Sequence, residues 1–287
     1  MNAPLNGWTS KDISDADRFA ADLFGTPVTR RHSFAPPARP TESVIGTDDR
    51  FQVRARPNLP STLLYPFNTI CLVQDADPTV PNGSGFLIAP RVMLTAKHVL
   101  VGFGPQTVTP GADLSASTAA NQRPAAPASQ TLPTASIRPH ATLDLALGIF
   151  PVAFTRPTRF MMLQPRGNIN TATLLTVAGY PNVGNATTNV VGTMWAHSNR
   201  LRVTNVTATH LTYPIDTTVG QSGSPLWLLG NDGIRLALGV HTNGGSANSG
   251  VRITCDVIRW IERECAAASV TGPVVDQVAM RASCPAP

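Results

Sequence analysis

The segment Gly220-Gln221-Ser222-Gly223-Ser224-Pro225 holds the residue best suited to nucleophilic chemistry. Glycines flanking a serine allow a tight turn that exposes the hydroxyl and brings neighbouring backbone N–H groups toward one pocket. An attacking serine needs that pocket, because the oxyanion of a tetrahedral intermediate must be met by donors; losing one raises the barrier by about 3–4 kcal/mol. A serine also needs a base. Thr95-Ala96-Lys97-His98-Val99 places a histidine at the end of an apolar strand, where an imidazole can reach a hydroxyl on a neighbouring segment. In Thr142-Leu143-Asp144-Leu145-Ala146-Leu147 a carboxylate opens an otherwise apolar strand, a position from which it can orient and stabilise an imidazolium. Taken singly, each has a plain structural reading: a Gly/Ser hairpin turn, a strand-end histidine, a turn aspartate. Together they run His98, Asp144, Ser222, the chain order of one of the known serine-protease triads.

The elements that must position these residues are short. From Ser43 onward the chain alternates brief apolar runs with Gly, Pro, Asn and Asp: Ser84–Ile88, Val92–Ala96, Leu145–Phe150, Ala172–Ala178, Arg200–Val206, Pro225–Leu229 and Leu236–His241. Their length and β-branched content predict strands, and their number predicts an all-β barrel or sandwich. The 22 Gly and 26 Pro agree, implying many turns and few long helices. One substantial helix is expected over Val257–Ala268, with Val257, Ile258, Ile261 and Cys265 on one face. The Ala/Ser/Thr/Pro-rich stretch Gly104–Thr134 reads as a long irregular excursion between strands.

Residues 1–42 differ in character. An amphipathic stretch from Ser14 to Phe24 could form one helix, and a Pro- and Arg-rich linker follows it. No basic n-region followed by an apolar h-region is visible at the start, and no apolar run reaches the length of a membrane-spanning helix. The net charge of +5 is dispersed, with Arg30-Arg31 the one adjacent basic pair, so no stripe for nucleic acid is present. The four cysteines (Cys71, Cys255, Cys265 and Cys284) lack metal-finger spacing. A local staple such as Cys265 to Cys284 is the expected limit of cross-linking, with the pairing left open.

At this point the chain resembles the glutamyl endopeptidase family of bacterial chymotrypsin-fold serine proteases. The motifs that carry the resemblance occur in order: Ser43-Val44-Ile45-Gly46-Thr47-Asp48-Asp49-Arg50, Gly179-Tyr180-Pro181, Thr193-Met194-Trp195, Asp216-Thr217 before the serine turn, and Val240-His241-Thr242-Asn243-Gly244. It covers roughly residues 43–260. The resemblance implies an all-β fold of two antiparallel β-barrels with a C-terminal helix and the active site in the cleft between them. It implies Ser222 as nucleophile, His98 as general base and acid, Asp144 as orienting carboxylate, and the N–H groups of Gly220 and Ser222 as oxyanion hole. It implies cleavage after Glu, less well after Asp, with Thr217 and His241 contacting the substrate carboxylate. A carboxylate entering a mostly apolar slot must meet charge-assisted donors, which an imidazole and a hydroxyl supply.

Polypeptide substrates, a monomer, no cofactor and no catalytic metal follow from the same resemblance. So does secretion, against which the invisible signal peptide leaves a cytoplasmic site or a non-classical export route as the alternative. A structural calcium ion occurs in such folds, but no ligand loop is readable. Trypsin-like enzymes carry an aspartate before the serine; Gln221 stands there, so activation by its ion pair with a new N-terminus is not available. In the glutamate-specific family the freed amino group instead supports the specificity pocket.

Glutamate scarcity fits this reading. A chain of this length would ordinarily hold about 15–20 glutamates; this one has Glu42, Glu262 and Glu264. Glu42 directly precedes Ser43, which predicts processing between them: residues 1–42 as a removable prosegment and 43–287 as the protease domain. Compositional bias is the competing account, since only Lys11 and Lys97 represent lysine. Two functional alternatives remain at this level: a trypsin-like protease of different specificity, and a non-catalytic binding protein on a protease scaffold.

Overall fold

In a computed structural model, the protein is described at residues 44, 45, 48, 50–54, 61–75, 81–114, 128–181, 192–197, 201–230 and 233–284. The expected N-terminal helix, Glu42 and Ser43 lie outside these residues. The chain runs through β1 (Arg50–Val53), β2 (Ile70–Gln74), β3 (Pro81–Ala89), β4 (Val92–Thr95), the one-turn helix α1 (Lys97–Leu100), β5 (Gln106–Pro110), β6 (Gln130–Leu132), β7 (Ile137–Pro139) and β8 (Ala146–Ile149). It continues through β9 (Met162–Leu163), β10 (Leu174–Gly179), β11 (Met194–His197), β12 (Leu201–Arg202), β13 (Asn205–Val206), β14 (His210–Tyr213), β15 (Pro225–Leu229), β16 (Arg235–Asn243) and β17 (Asn248–Arg252). Helices α2 (Cys255–Ala267) and α3 (Gln277–Ser283) close the described chain.

Two sheets result. One has seven strands in the order β6-β5-β2-β3-β4-β8-β7; the other has ten, along the path β1-β11-β10-β15-β16-β17-β14-β13, with β12 on β10 and β9 on β16. Every pairing is antiparallel except β9 with β16. This is the expected all-β architecture with a C-terminal helix.

The continuous apolar runs have a specific cause. Side chains alternate faces along a strand, and in β2, β3, β4 and β8 both faces are buried in different cores. Cys71, Val73, Leu87, Met93 and Ala146 pack inside the seven-stranded sheet. Their neighbours Ile70, Leu72, Phe86, Leu94 and Leu147 join a larger cluster shared with β10, β16 and α2. Leu175, Val177, Leu211, Leu226 and Leu238 form a third core inside the ten-stranded sheet. The middle cluster therefore glues the halves together, and α2 contributes Val257, Ile258, Trp260, Ile261 and Cys265 to it. The Thr254 hydroxyl caps α2 by accepting from the Val257 N–H.

Three expectations need correction. The stretch Gly104–Thr134 is not wholly irregular: β5 and β6 fall within it and pair with each other, because Gln106, Val108 and Leu132 are buried. Arg200–Val206 is not one strand, since β12 pairs with β10 and β13 with β14. The disulfide joins Cys255 to Cys284, not Cys265 to Cys284. Cys265 points into the shared core, whereas Cys255 opens α2 beside the tail that α3 brings back.

Candidate active site

Strands β4 and β8 lie side by side, with Thr95 opposite Ala146. Antiparallel pairing puts the end of one beside the start of the other, so the residues just after β4 meet those just before β8. His98, on the first turn of α1, and Asp144 consequently make two hydrogen bonds. The Asp144 Oδ1 accepts from the His98 backbone N–H at 3.0 Å, and Oδ2 lies 2.7 Å from the His98 Nδ1. His98 thus lies on a helical turn three residues past the end of β4, not at the strand end itself. Burial alone would raise the Asp144 carboxyl, but the hydrogen bonds and charge of His98, with the Lys97 backbone N–H, hold it below its usual value. An ionised carboxylate facing Nδ1 makes that nitrogen the donor and leaves Nε2 as the basic atom. The imidazole is about half exposed.

Ser222 is held by contacts from distant segments. Its carbonyl accepts from the Ser84 N–H at 2.8 Å on β3. The Ser84 hydroxyl donates to the Gly220 carbonyl at 2.9 Å and accepts from the Tyr180 N–H at 2.8 Å. Gly223 N–H donates to the His241 carbonyl, and His241 N–H to the Ser224 carbonyl. Gly220 and Gly223 have φ of 100° and 88°, conformations that other residues rarely adopt. At Gly223 a Cβ would also fall 1.9 Å from the Ser84 carbonyl oxygen. The turn is therefore written in glycine for reasons of both conformation and space.

Gly83 brings the halves together at the site. A Cβ there would stand 2.8 Å from a Val99 methyl and 3.1 Å from the Ser222 carbonyl oxygen. The residue after His98 and the backbone of Ser222 therefore pack against one glycine.

His241 on β16 and Thr217, in the segment leading into the turn, are both fully buried. The Tyr213 hydroxyl lies 2.5 Å from the His241 Nδ1. The Thr217 hydroxyl is buried with no hydrogen-bond partner among the described residues, an arrangement costly enough to ask for an explanation. Beside it, Asp216 accepts from the Ile45 N–H at 2.6 Å. Tyr213 and Arg50, which bonds Gln221 and Thr218, are two site neighbours whose roles sequence reasoning missed. Arg50 lies in a motif that resembled the family, but nothing in the sequence points from it to residues so far away.

A profile of the family described as trypsin-like peptidase domain matches residues 83–233. The chain is similar to the glutamyl endopeptidase of Bacillus licheniformis, with 27% identity over 238 residues covering 75% of this chain and 67% of that one. Over 72 residues it is 42% identical to a Bacillus subtilis protein named extracellular metalloprotease, a match spanning 25% of this chain and 22% of that protein. Among solved structures, a Glu endopeptidase in complex with MPD superimposes with a TM-score of 0.62 at 23% identity, covering 78% of this chain and all of the other. That likeness gives the chymotrypsin-like fold. With the family profile spanning more than half of its residues, the chain belongs to the trypsin-like peptidases and is a serine endopeptidase acting on polypeptides.

Proposed function

We propose that this endopeptidase cleaves after acidic residues, Glu before Asp, with His98, Asp144 and Ser222 as its triad. His98 takes the Ser222 proton as the hydroxyl oxygen attacks the scissile carbonyl. The oxyanion is met by the Gly220 and Ser222 N–H groups, and the imidazolium then gives its proton to the leaving amine. Water, deprotonated by the same imidazole, hydrolyses the acyl-enzyme and restores Ser222. The hydrogen bonds between His98 and Asp144, with the packing of Val99 and Ser222 on Gly83, support these roles.

The observation that carries the acidic specificity is the buried pair beside the Ser222 turn: the Tyr213-bound imidazole of His241 and the Thr217 hydroxyl. If the Tyr213 hydroxyl is the donor to Nδ1, the His241 Nε2 carries the proton and can donate to a carboxylate. A buried donor of this kind accepts a carboxylate far better than an apolar side chain. Tyr213→Phe should therefore lower the Glu-over-Gln preference by about tenfold, a difference of roughly 1.4 kcal/mol, in keeping with loss of one hydrogen bond.

Processing after Glu42 would leave a new N-terminus one residue before Val44, close to the contact between Ile45 and Asp216 and so to Thr217. The Cys255–Cys284 disulfide favours secretion, because such bonds persist in oxidising compartments. The decisive experiment compares peptides that differ only before the scissile bond (Glu, Asp, Gln, Arg, Phe, Ala), with Ser222→Ala as control and N-terminal sequencing of the active enzyme. Glu cleavage well above Gln, absent in the control, is expected. A preference unchanged by His241→Ala would move the specificity elsewhere, and cleavage by Ser222→Ala would overturn the triad.

A further inference from the structure

The residue before Ser222 is a neutral amide, yet it is buried against a positive charge. Arg50, on the edge strand β1, has a side chain only 7% exposed. Its Nε and Nη2 donate to the two oxygens of Asp48 at 2.8 and 2.7 Å. That fork fixes the guanidinium plane and balances its charge. The remaining nitrogen, Nη1, donates to the Thr218 hydroxyl at 2.6 Å and to the Gln221 Oε1 at 2.8 Å.

These two acceptors bracket the turn that carries Gly220. The Gln221 N–H donates to the Thr218 carbonyl at 3.0 Å, and the Thr218 N–H donates to the Gln221 Oε1 at 3.1 Å. The Gln221 Nε2 completes the set by donating to the Trp195 carbonyl at 3.3 Å. Trp195 lies opposite Gln52, two residues along β1 from Arg50. The same segment makes a second tie where the Ile45 N–H meets Asp216.

We propose that Arg50 is a positioning residue for the catalytic turn, clamping Thr218 and Gln221 so that the Gly220 and Ser222 N–H groups are aimed at the developing oxyanion. This rests on the assignment of those two donors above. The clamp uses a charge inside the chain, so it operates whether or not an amino group has been freed nearby. Asp48 acts one step further out by holding the fork. Burial alone would raise its carboxyl, but the hydrogen bonds and charge of Arg50, with the charge of His197, hold it below the usual value. It therefore stays ionised at neutral pH.

A clamp on oxyanion donors acts on the transition state more than on substrate binding. Arg50→Ala should lower kcat by about 100-fold, the scale of losing one such donor, and leave KM within about threefold. Arg50→Lys should not restore the rate, because a point charge cannot serve Asp48 and both acceptors at once. Added methylguanidinium should raise the Arg50→Ala rate several-fold while leaving the parent and Gln221→Met unaffected.

The test uses the full chain, the best-cleaved peptide of the set above, near-UV circular dichroism for folding, and Ser222→Ala alongside. A folded Arg50→Ala with kcat within about twofold of the parent, a loss confined to KM, or a rate indifferent to methylguanidinium would overturn the proposal. Should Arg50→Ala not fold, Gln221→Met carries the test, with the same fall in kcat expected and an unchanged kcat overturning it. Activity surviving in Ser222→Ala would instead mean that the reading of the site itself has failed, independently of Arg50.

Discussion

In the seven-stranded sheet, His98 and Asp144 sit within three residues of a shared strand pairing, Thr95 with Ala146, and their hydrogen bonds follow almost directly from that register. In the ten-stranded sheet, Ser222 sits on a turn whose shape depends on Ser84 in the other sheet, His241 on β16 and Arg50 near the start of the described chain. The first arrangement is secured by paired backbone whose flanking side chains are buried on both faces. The second depends on backbone bonds from Ser84 and His241 and on side-chain hydrogen bonds across sequence separations of 136 and 171 residues. Side-chain changes at the first should therefore have little effect on structure, whereas changes around the second should alter the fold and the local geometry together.

The sharpest test of that separation is Asp144→Asn. It keeps the strand pairing but offers the imidazole the wrong partner for its tautomer, so kcat should fall by about 10⁴-fold. The melting temperature should move little, since the carboxylate is partly exposed and its contribution is screened. A large drop in melting temperature would show that the pair is structural as well.

Ser84→Ala probes the opposite case. It removes the bond to the Gly220 carbonyl and leaves the Tyr180 N–H without its acceptor. Stability should fall by about 1–3 kcal/mol, and kcat should drop with it because the turn loses a tether. Denaturant melts and kinetics on one preparation would check both. A stability loss with full activity would break the link between the turn and its supports.

Acid stability gives the smallest effect. Asp48 and Asp144 are both held below the ordinary carboxylate value in the folded chain. Each therefore adds stability that is fully present above the unfolded value of about 3.9 and is lost as pH falls through the folded one. The melting temperature should decline below about pH 4. Asp48→Asn should flatten that decline, and a profile identical to the parent would place the acid sensitivity elsewhere.

Legibility in the sequence followed the same division. Strand β15 was expected at its observed limits, and α2 within two residues. His98, Asp144 and Ser222 each stood in a local context that suggested a role. What stayed hidden depends on which segments meet. Nothing near Arg50 names Gln221 as its partner, and nothing near Tyr213 names the ring of His241. The example of a Cys265–Cys284 staple does not hold for a related reason: helical spacing puts Cys265 on the apolar face, and that face is buried in the shared core. The run Arg200–Val206 looked uniform in composition, but its two ends serve different neighbours. Residue type reports what a segment can do, and only the assembled sheets report with whom.

The long reach of the contacts around Ser222 also has a consequence in time. Chains fold largely from the N-terminal side as they are made, and contacts between distant residues are slow to form. His98 and Asp144 can be brought together while the second sheet is still incomplete. Ser222 cannot take its final place until β3, the Arg50 segment and β16 are all in position. The turn that carries Ser222 is then expected to be among the last features of the fold to form.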